Sequence, residues 1–233
     1  SCQSPLHRGK LGGGEEKAKN DDDDEDEDKG DSPKMAQQQN PMEALWARLQ
    51  AAEPGETAQR AGATYDPASQ AYLVPLCGRE IRIVPSARRA EAAGGPAGFE
   101  STLACIQYLL MAQDEPLAGE WADPKTLPYG AFFFRPPHEM PGDVLEEAFG
   151  ERVEAFRKAA ETIGGTAEAM GDAAYQFRAL PRIPVVVILW AADDEFPARV
   201  RFLLDKHAHH QLPLDALWML CRILAKRLIA TER

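Results

Sequence analysis

The spacing of apolar and polar positions changes along this chain, and each change marks an element. Met42, Leu45, Trp46 and Leu49 recur at helical spacing after Pro41 and predict a short helix. Residues Glu53 to Ser69 are rich in Gly, Pro and polar side chains and read as a linker or wrapped loop. Tyr72, Val74 and Leu76 then alternate, Cys77-Gly78 supplies a turn, and Ile81 and Ile83 alternate again. This is a hairpin, with Pro75 pushing its first strand toward a sheet edge. Gly94-Gly95-Pro96 breaks the chain before a helix from about Phe99 to Gln113, whose stripe is Phe99, Leu103, Ile106, Leu109 and Leu110. Five prolines between Gly119 and Asp143 exclude a long regular element, leaving a short strand at Phe132, Phe133 and Phe134 within ordered loop. Asp143 caps a helix to about Ile163, with Leu145, Phe149, Val153 and Phe156 inward and Gly164-Gly165 ending it. Thr166 to Phe177 adds one short helix. A last helix from about Leu214 repeats Leu217, Cys221, Leu224 and Leu228.

The strongest pattern runs from Leu180 to Asp205. A nearly unbroken apolar run, Ile183 to Trp190, drops into three consecutive acids, Asp193, Asp194 and Glu195. After Phe196-Pro197, Val200, Phe202 and Leu204 share one face of an alternating run. Two strands joined by a short acidic connection account for this. Helices and strands follow in mixed order, not in βαβ alternation, so the expected class is α+β. The expected architecture is one domain, with a mixed or antiparallel sheet whose central hairpin (about 182–205) packs against several helices.

Composition divides the chain. Residues 1–34 contain an acidic run from Asp21 to Asp28 and almost no apolar side chains, so they cannot bury enough surface to offset chain entropy. They are expected to be disordered, either a vector-derived leader or a native acidic tail for a basic partner. Residues 35–233 are the expected globular domain. Of the net charge of −11, −5 belongs to residues 1–34. A mildly acidic remainder argues against nucleic-acid binding, which needs a basic surface to displace counterions. No apolar run reaches the roughly 18 residues a membrane helix needs. Within residues 35–233 the cysteines, Cys77, Cys105 and Cys221, are widely spaced and odd in number, which fits buried thiols in a reducing cytoplasm. With no CxxC pair, a structural zinc or iron–sulfur cluster held by this chain alone is not expected.

Particular residues also carry a resemblance. LPRIPVVVILWAADDEFPARVRFLLD, with Gly164, Gly165, Gly171 and Asp172 upstream, resembles a prokaryotic family, domain of unknown function 3786. The shared pattern is a Pro-x-x-Pro strand start, a Trp, and an Asp-Glu-Phe-Pro turn. A Leu-Phe-Asp-like strand end follows, answered here by Leu203-Leu204-Asp205. The loop around Leu127-Pro128-Tyr129-Gly130 and Phe133 is also similar, and the resemblance covers about Gly94 to Leu228. It implies no activity. Some relatives carry a cysteine-rich iron–sulfur segment in front, which this chain lacks.

Three carboxylates crowded at one turn repel one another, so that turn is a candidate site. Asp193, Asp194 and Glu195 could bind a basic group or a cation, or could cap the turn and pair with Arg182, Arg199 or Arg201. Trp121, Tyr129, Phe133 and Trp190 could line an apolar pocket with them. A metal set would take Asp194, Glu195, Asp205 and His207, the last lying beside His209 on one side of an extended segment. Nucleophile elbows and phosphate-cradling glycine loops are absent. The expectation is a noncatalytic cytoplasmic protein that binds a small ligand or a protein partner, with a homodimer open and no cofactor specified. A metal-dependent enzyme, or an accessory subunit of a redox or metalloenzyme complex, is the alternative.

Overall fold

A computed structural model describes residues 40–231, so the expectations for residues 1–34 lie outside them. The chain opens with Pro41–Ala51 (α1), where the Asn40 side chain accepts from the Met42 amide and Trp46 and Leu49 are buried. The expected linker then contains a second helix, Pro54–Ala61 (α2), followed by strand Thr64–Asp66 (β1). Its boundaries are specified locally: the Glu53 carboxylate accepts from the Glu56 amide, Pro54 sits in the first turn, and Gly62 closes the end at φ +61°. Only Thr57, Ala58 and Ala61 are buried, so no apolar period announces it.

The first sheet continues with Ala71–Leu76 (β2), Arg79–Val84 (β3), Arg89–Ala92 (β4) and Gly95–Pro96 (β5), each antiparallel to its predecessor. The hairpin of β2 and β3 is as expected, but β2 is interior. Pro75 is accommodated because β1 reaches only Ala71–Leu73, leaving no ladder partner on that side. Helix Phe99–Met111 (α3) buries Ile106 and Leu109 as expected, but its face is shifted: Phe99 is 68% exposed, Leu103 and Leu110 are half-buried, and Ser101, Ala104, Cys105 and Tyr108 are buried instead. Small residues let the helix approach closely. The buried Tyr108 hydroxyl spans the gap, donating to Ala61 O (2.6 Å) and accepting from the Arg182 amide (3.0 Å).

Trp121–Ala122 (β6) precedes a helical turn, Gly130–Phe133 (α4), where a strand was expected. One long helix was expected after Asp143; instead Asp143–Phe149 (α5) and Val153–Thr162 (α6) are separate. The break is at Gly150, where a Cβ would lie 2.5 Å from Glu146 O and 2.6 Å from Ala198 Cβ. The helix expected from Thr166 is a strand pair, Thr166–Glu168 (β7) and Ala173–Leu180 (β8). Ala173, Tyr175, Phe177 and Ala179 alternate onto the core face, a period-two signal that the alanines dilute. Ile183–Trp190 (β9) and Arg199–Asp205 (β10) form the expected hairpin, and Ala208–Gln211 (α7) and Leu214–Ala230 (α8) close the chain. The second sheet has order β6-β10-β9-β8-β7, again antiparallel. The class is α+β as expected, with two sheets where one was foreseen.

Strand β9 is buried from Ile183 to Leu189 and has a paired strand on each side. Helix α8 packs against α3, α5 and α6, and Leu217, Cys221, Leu224 and Leu228 are fully buried. Phe156 meets Phe149 and Tyr175 edge-on, at 5.6 and 5.9 Å between ring centroids. The sheets are tied together at the β2–β3 turn, where the Cys77 amide donates to Ala179 O of β8 (2.9 Å). Cys77 and Gly78 both have positive φ, +47° and +74°, the backbone of a type I′ hairpin turn. Gly78 is also pressed on Ile163, whose carbonyl oxygen would lie 2.3 Å from an added Cβ.

Gly94 shares the positive φ, at +95°, but has open space around it. Gly94→Ala is therefore expected to cost only the backbone strain, about 1–2 kcal/mol. Gly78→Ala is expected to cost at least about 1 kcal/mol more, since Ile163 must move as well. Urea unfolding of the two variants checks this; equal losses would show that the approach to Ile163 is not a constraint.

Candidate functional site

Residues 191–198 connect β9 to β10, and three acids, Asp193, Asp172 and Glu146, engage the backbone in or beside this connection. Asp193 Oδ1 accepts from the Glu195 and Phe196 amides (2.8 and 2.7 Å), and the Asp193 amide donates to Phe196 O (3.0 Å). Asp172, just before β8, accepts from the Ala191 amide (2.8 Å), and Ala192 donates to Gly150 O (3.0 Å). Glu146 on α5 reaches across to accept from the Val200 amide of β10 (2.8 Å). These bonds to charged acceptors are stronger than neutral ones and hold the connection in one shape. The two amides on Asp193 keep its carboxyl below the ordinary carboxylate value.

The resulting cleft, of about 790 Å³, is walled by Trp190, Phe196 and Pro197. Its polar lining is Asp172, Asp193, Glu146, Arg199 and Arg201. A second groove of about 630 Å³ shares Glu146, Arg199 and Arg201 and continues past Lys125, Phe134 and Met140. Neither Arg199 nor Arg201 forms an ion pair or a side-chain hydrogen bond among the described residues. Arg182, the third arginine expected to serve the acidic turn, pairs instead with Asp114 and donates to Arg60 O (2.7 Å). Of the acids of the turn, Asp193 alone caps backbone among the described residues as one reading anticipated, and it does not neutralise an arginine.

Of the residues expected to bind a ligand, the structure brings Trp190 and Asp193 together at this cleft. Asp194 and Glu195 are exposed and do not line it. Trp121 pairs with Asp205 at the far end of β10 and is 37% exposed. Tyr129 is 85% exposed, and Phe133 stacks on His138 (4.6 Å), which meets Trp218 edge-on (5.1 Å). Asp172, Glu146, Phe196, Arg199 and Arg201 complete the cleft. The alternation that buries Val200 and Phe202 already implied that Arg199 and Arg201 share the opposite face.

The expected metal set is not assembled. Asp205 stands at the end of β10 remote from the acidic turn, roughly 20 Å away along a seven-residue strand. Its buried carboxylate accepts from the amides of Ala118, Gly119 and His207 (3.0, 2.9 and 2.9 Å), fastening the segment before β6. The histidines lie on a helical turn, not an extended segment. His207 and His210 stack at 5.0 Å, with Nδ1 atoms near Pro116 O (3.3 Å) and Glu115 Oε2 (2.9 Å). Burial, then the neighbouring His210, lowers the pKa of His209. Among the described residues, no group of three or more His, Cys, Asp or Glu side chains is placed to hold a metal ion. Cys77, Cys105 and Cys221 are buried and unpaired, and burial pushes the Cys77 thiol up to about 12, leaving it unreactive.

A family model described as a domain of unknown function (DUF3786) matches residues 53–227. No curated protein and no solved structure matches the chain.

Two expectations follow from the carboxylates. Asp205→Asn keeps the shape but turns an amide nitrogen toward a backbone N–H, so it should cost about 2–4 kcal/mol in urea unfolding; a loss within about 0.5 kcal/mol would show the clamp to be dispensable. The Glu195 and Phe196 amides hold the folded pKa of Asp193 below the ordinary aspartate value. Its contribution is complete above the unfolded pKa and disappears as pH falls through the folded one. Wild type should therefore lose stability more steeply than Asp193→Asn below about pH 4, and parallel curves would refute this.

Proposed function

The chain belongs to the DUF3786 family, whose description names no activity, and we propose from its cleft that it is a noncatalytic protein that binds small ligands in the cytoplasm of a prokaryote. The observation that carries this reading is the cleft beside Trp190. It joins an indole and a phenyl wall to acids fixed by backbone amides and to two guanidiniums with no partner among the described residues. A mostly apolar wall with a few oriented polar groups is what small-molecule sites have in common. Its acids are positioned by hydrogen bonds from the fold before any ligand arrives, which limits the ordering cost of binding. Three buried, unpaired thiols fit a reducing compartment.

A second role, as an accessory subunit, has its own support. Tyr129, at the N-cap of α4, and Phe132, within it, are 85% and 75% exposed, and Arg135 lies over the Phe132 ring. Exposed aromatics beside arginine are the composition of protein interfaces.

The ligand reading is tested by nuclear magnetic resonance with a fragment library, following the indole signal of Trp190 assigned through Trp190→Phe. Fragments are expected to shift Trp190 before Trp46, Trp121 or Trp218, and the best should raise the unfolding midpoint by mass action. A library that never moves the Trp190 signal would exclude the cleft as a ligand site.

A further inference from the structure

We infer that the ligand of this cleft is a zwitterion with an apolar body, an amino acid or short peptide, seated on Trp190 with its carboxylate toward Arg199 and Arg201 and its ammonium toward Asp172. The inference rests on the cleft being the ligand site and adds the class of ligand.

The register of the second sheet sets the arrangement. Arg199 pairs with Trp190 across β10 and β9, and Ala173 pairs with Leu189 across β8 and β9. Asp172, one residue before Ala173, therefore stands level with Trp190 on the other side, and its amide donates to Leu189 O (2.9 Å). The row across the sheet is guanidinium, indole, carboxylate. Adjacent strands are about 4.8 Å apart, so the two charged backbones are separated by roughly 10 Å with the ring between them.

Arg201 is two residues on, on the same face and roughly 7 Å from Arg199 along the strand, close enough for both guanidiniums to meet one carboxylate. Val200 and Phe202, between and beyond them, are 8% and 2% exposed, so core packing prevents the strand from turning the arginines away. The acidic side is equally fixed. Asp172 Oδ2 accepts from Ala191, leaving the other oxygen for a ligand ammonium, and Asp193 adds negative charge beside it.

A purely anionic ligand would satisfy the arginines but face the carboxylates of Asp172 and Asp193. A purely cationic one would meet the reverse. Only a molecule bearing both charges matches both sides, while Trp190 and Phe196 take its apolar part. A volume of about 790 Å³ accommodates an amino acid or a dipeptide.

The experiment titrates four probes into the full chain with calorimetry: L-phenylalanine, glycyl-phenylalanine, 3-phenylpropionate and phenethylamine. All carry the same ring, and the last two each lack one charge. At least one zwitterion is expected to bind about tenfold more tightly than either singly charged analogue, as expected for one charge-assisted bond. Arg199→Gln with Arg201→Gln should erase the advantage over phenethylamine, and Asp172→Asn, which keeps an acceptor for Ala191, should erase that over 3-phenylpropionate. If 3-phenylpropionate or phenethylamine matches the zwitterions, the inference fails while the ligand-binding role stands. It fails likewise if none of the four binds but other fragments shift Trp190. If no compound of any class shifts Trp190, both are overturned.

Discussion

The arrangement around the β9–β10 hairpin depends on carboxylates accepting backbone amides. β9 is buried on both faces, so it must end in a connection whose own polar groups are satisfied. Asp172, Asp193 and Glu146 do this at one end of the hairpin and Asp205 at the other, accepting seven hydrogen bonds from the backbone amides of Ala191, Glu195, Phe196, Val200, Ala118, Gly119 and His207. A charged acceptor strengthens these bonds, and losing it would leave amides without partners.

A consequence is the charge pattern of the cleft. Acids held by main-chain donors are not drawn onto arginines, so Arg199 and Arg201 keep their guanidiniums open beside Asp172 and Asp193. Exposed ion pairs contribute little to stability, so leaving these two unpaired costs the fold almost nothing. Stability and recognition are thus separated: backbone amides hold the acids in position, and the strand alternation of β10 holds the arginines. At the other end of β10, the same device fastens the segment leading to β6, and a residue suited by type to bind metal serves as a clamp.

The two sheets meet through a narrower constraint. The Cys77 amide on Ala179 O, and Gly78 against Ile163, fix where the first hairpin touches β8. A turn of two positive-φ residues is needed there, and Gly78 supplies the position that no side chain could occupy. Tyr108 adds a second tie, because its hydroxyl bonds both to the end of α2 and to the β8–β9 turn.

Much of this was legible in the sequence. The run Ile183 to Trp190, the alternation Val200-Phe202-Leu204 and the repeat Leu217-Cys221-Leu224-Leu228 each have enough large apolar residues to fix element type and inward face. The same alternation implied that Arg199 and Arg201 project together. Where burial falls on small residues the period fades: α2 hides Thr57, Ala58 and Ala61, and β8 mixes alanines with Tyr175 and Phe177. Gly150 looks like any helical glycine until Ala198 is brought against it. The role of each carboxylate was also decided only in three dimensions, because the amides that Asp172, Glu146 and Asp205 accept from lie 19, 54 and up to 87 residues away. Side-chain periodicity is a local property and survives in one dimension; hydrogen-bond partners and opposing charges are set by which strands lie side by side, and that was determined by the tertiary structure.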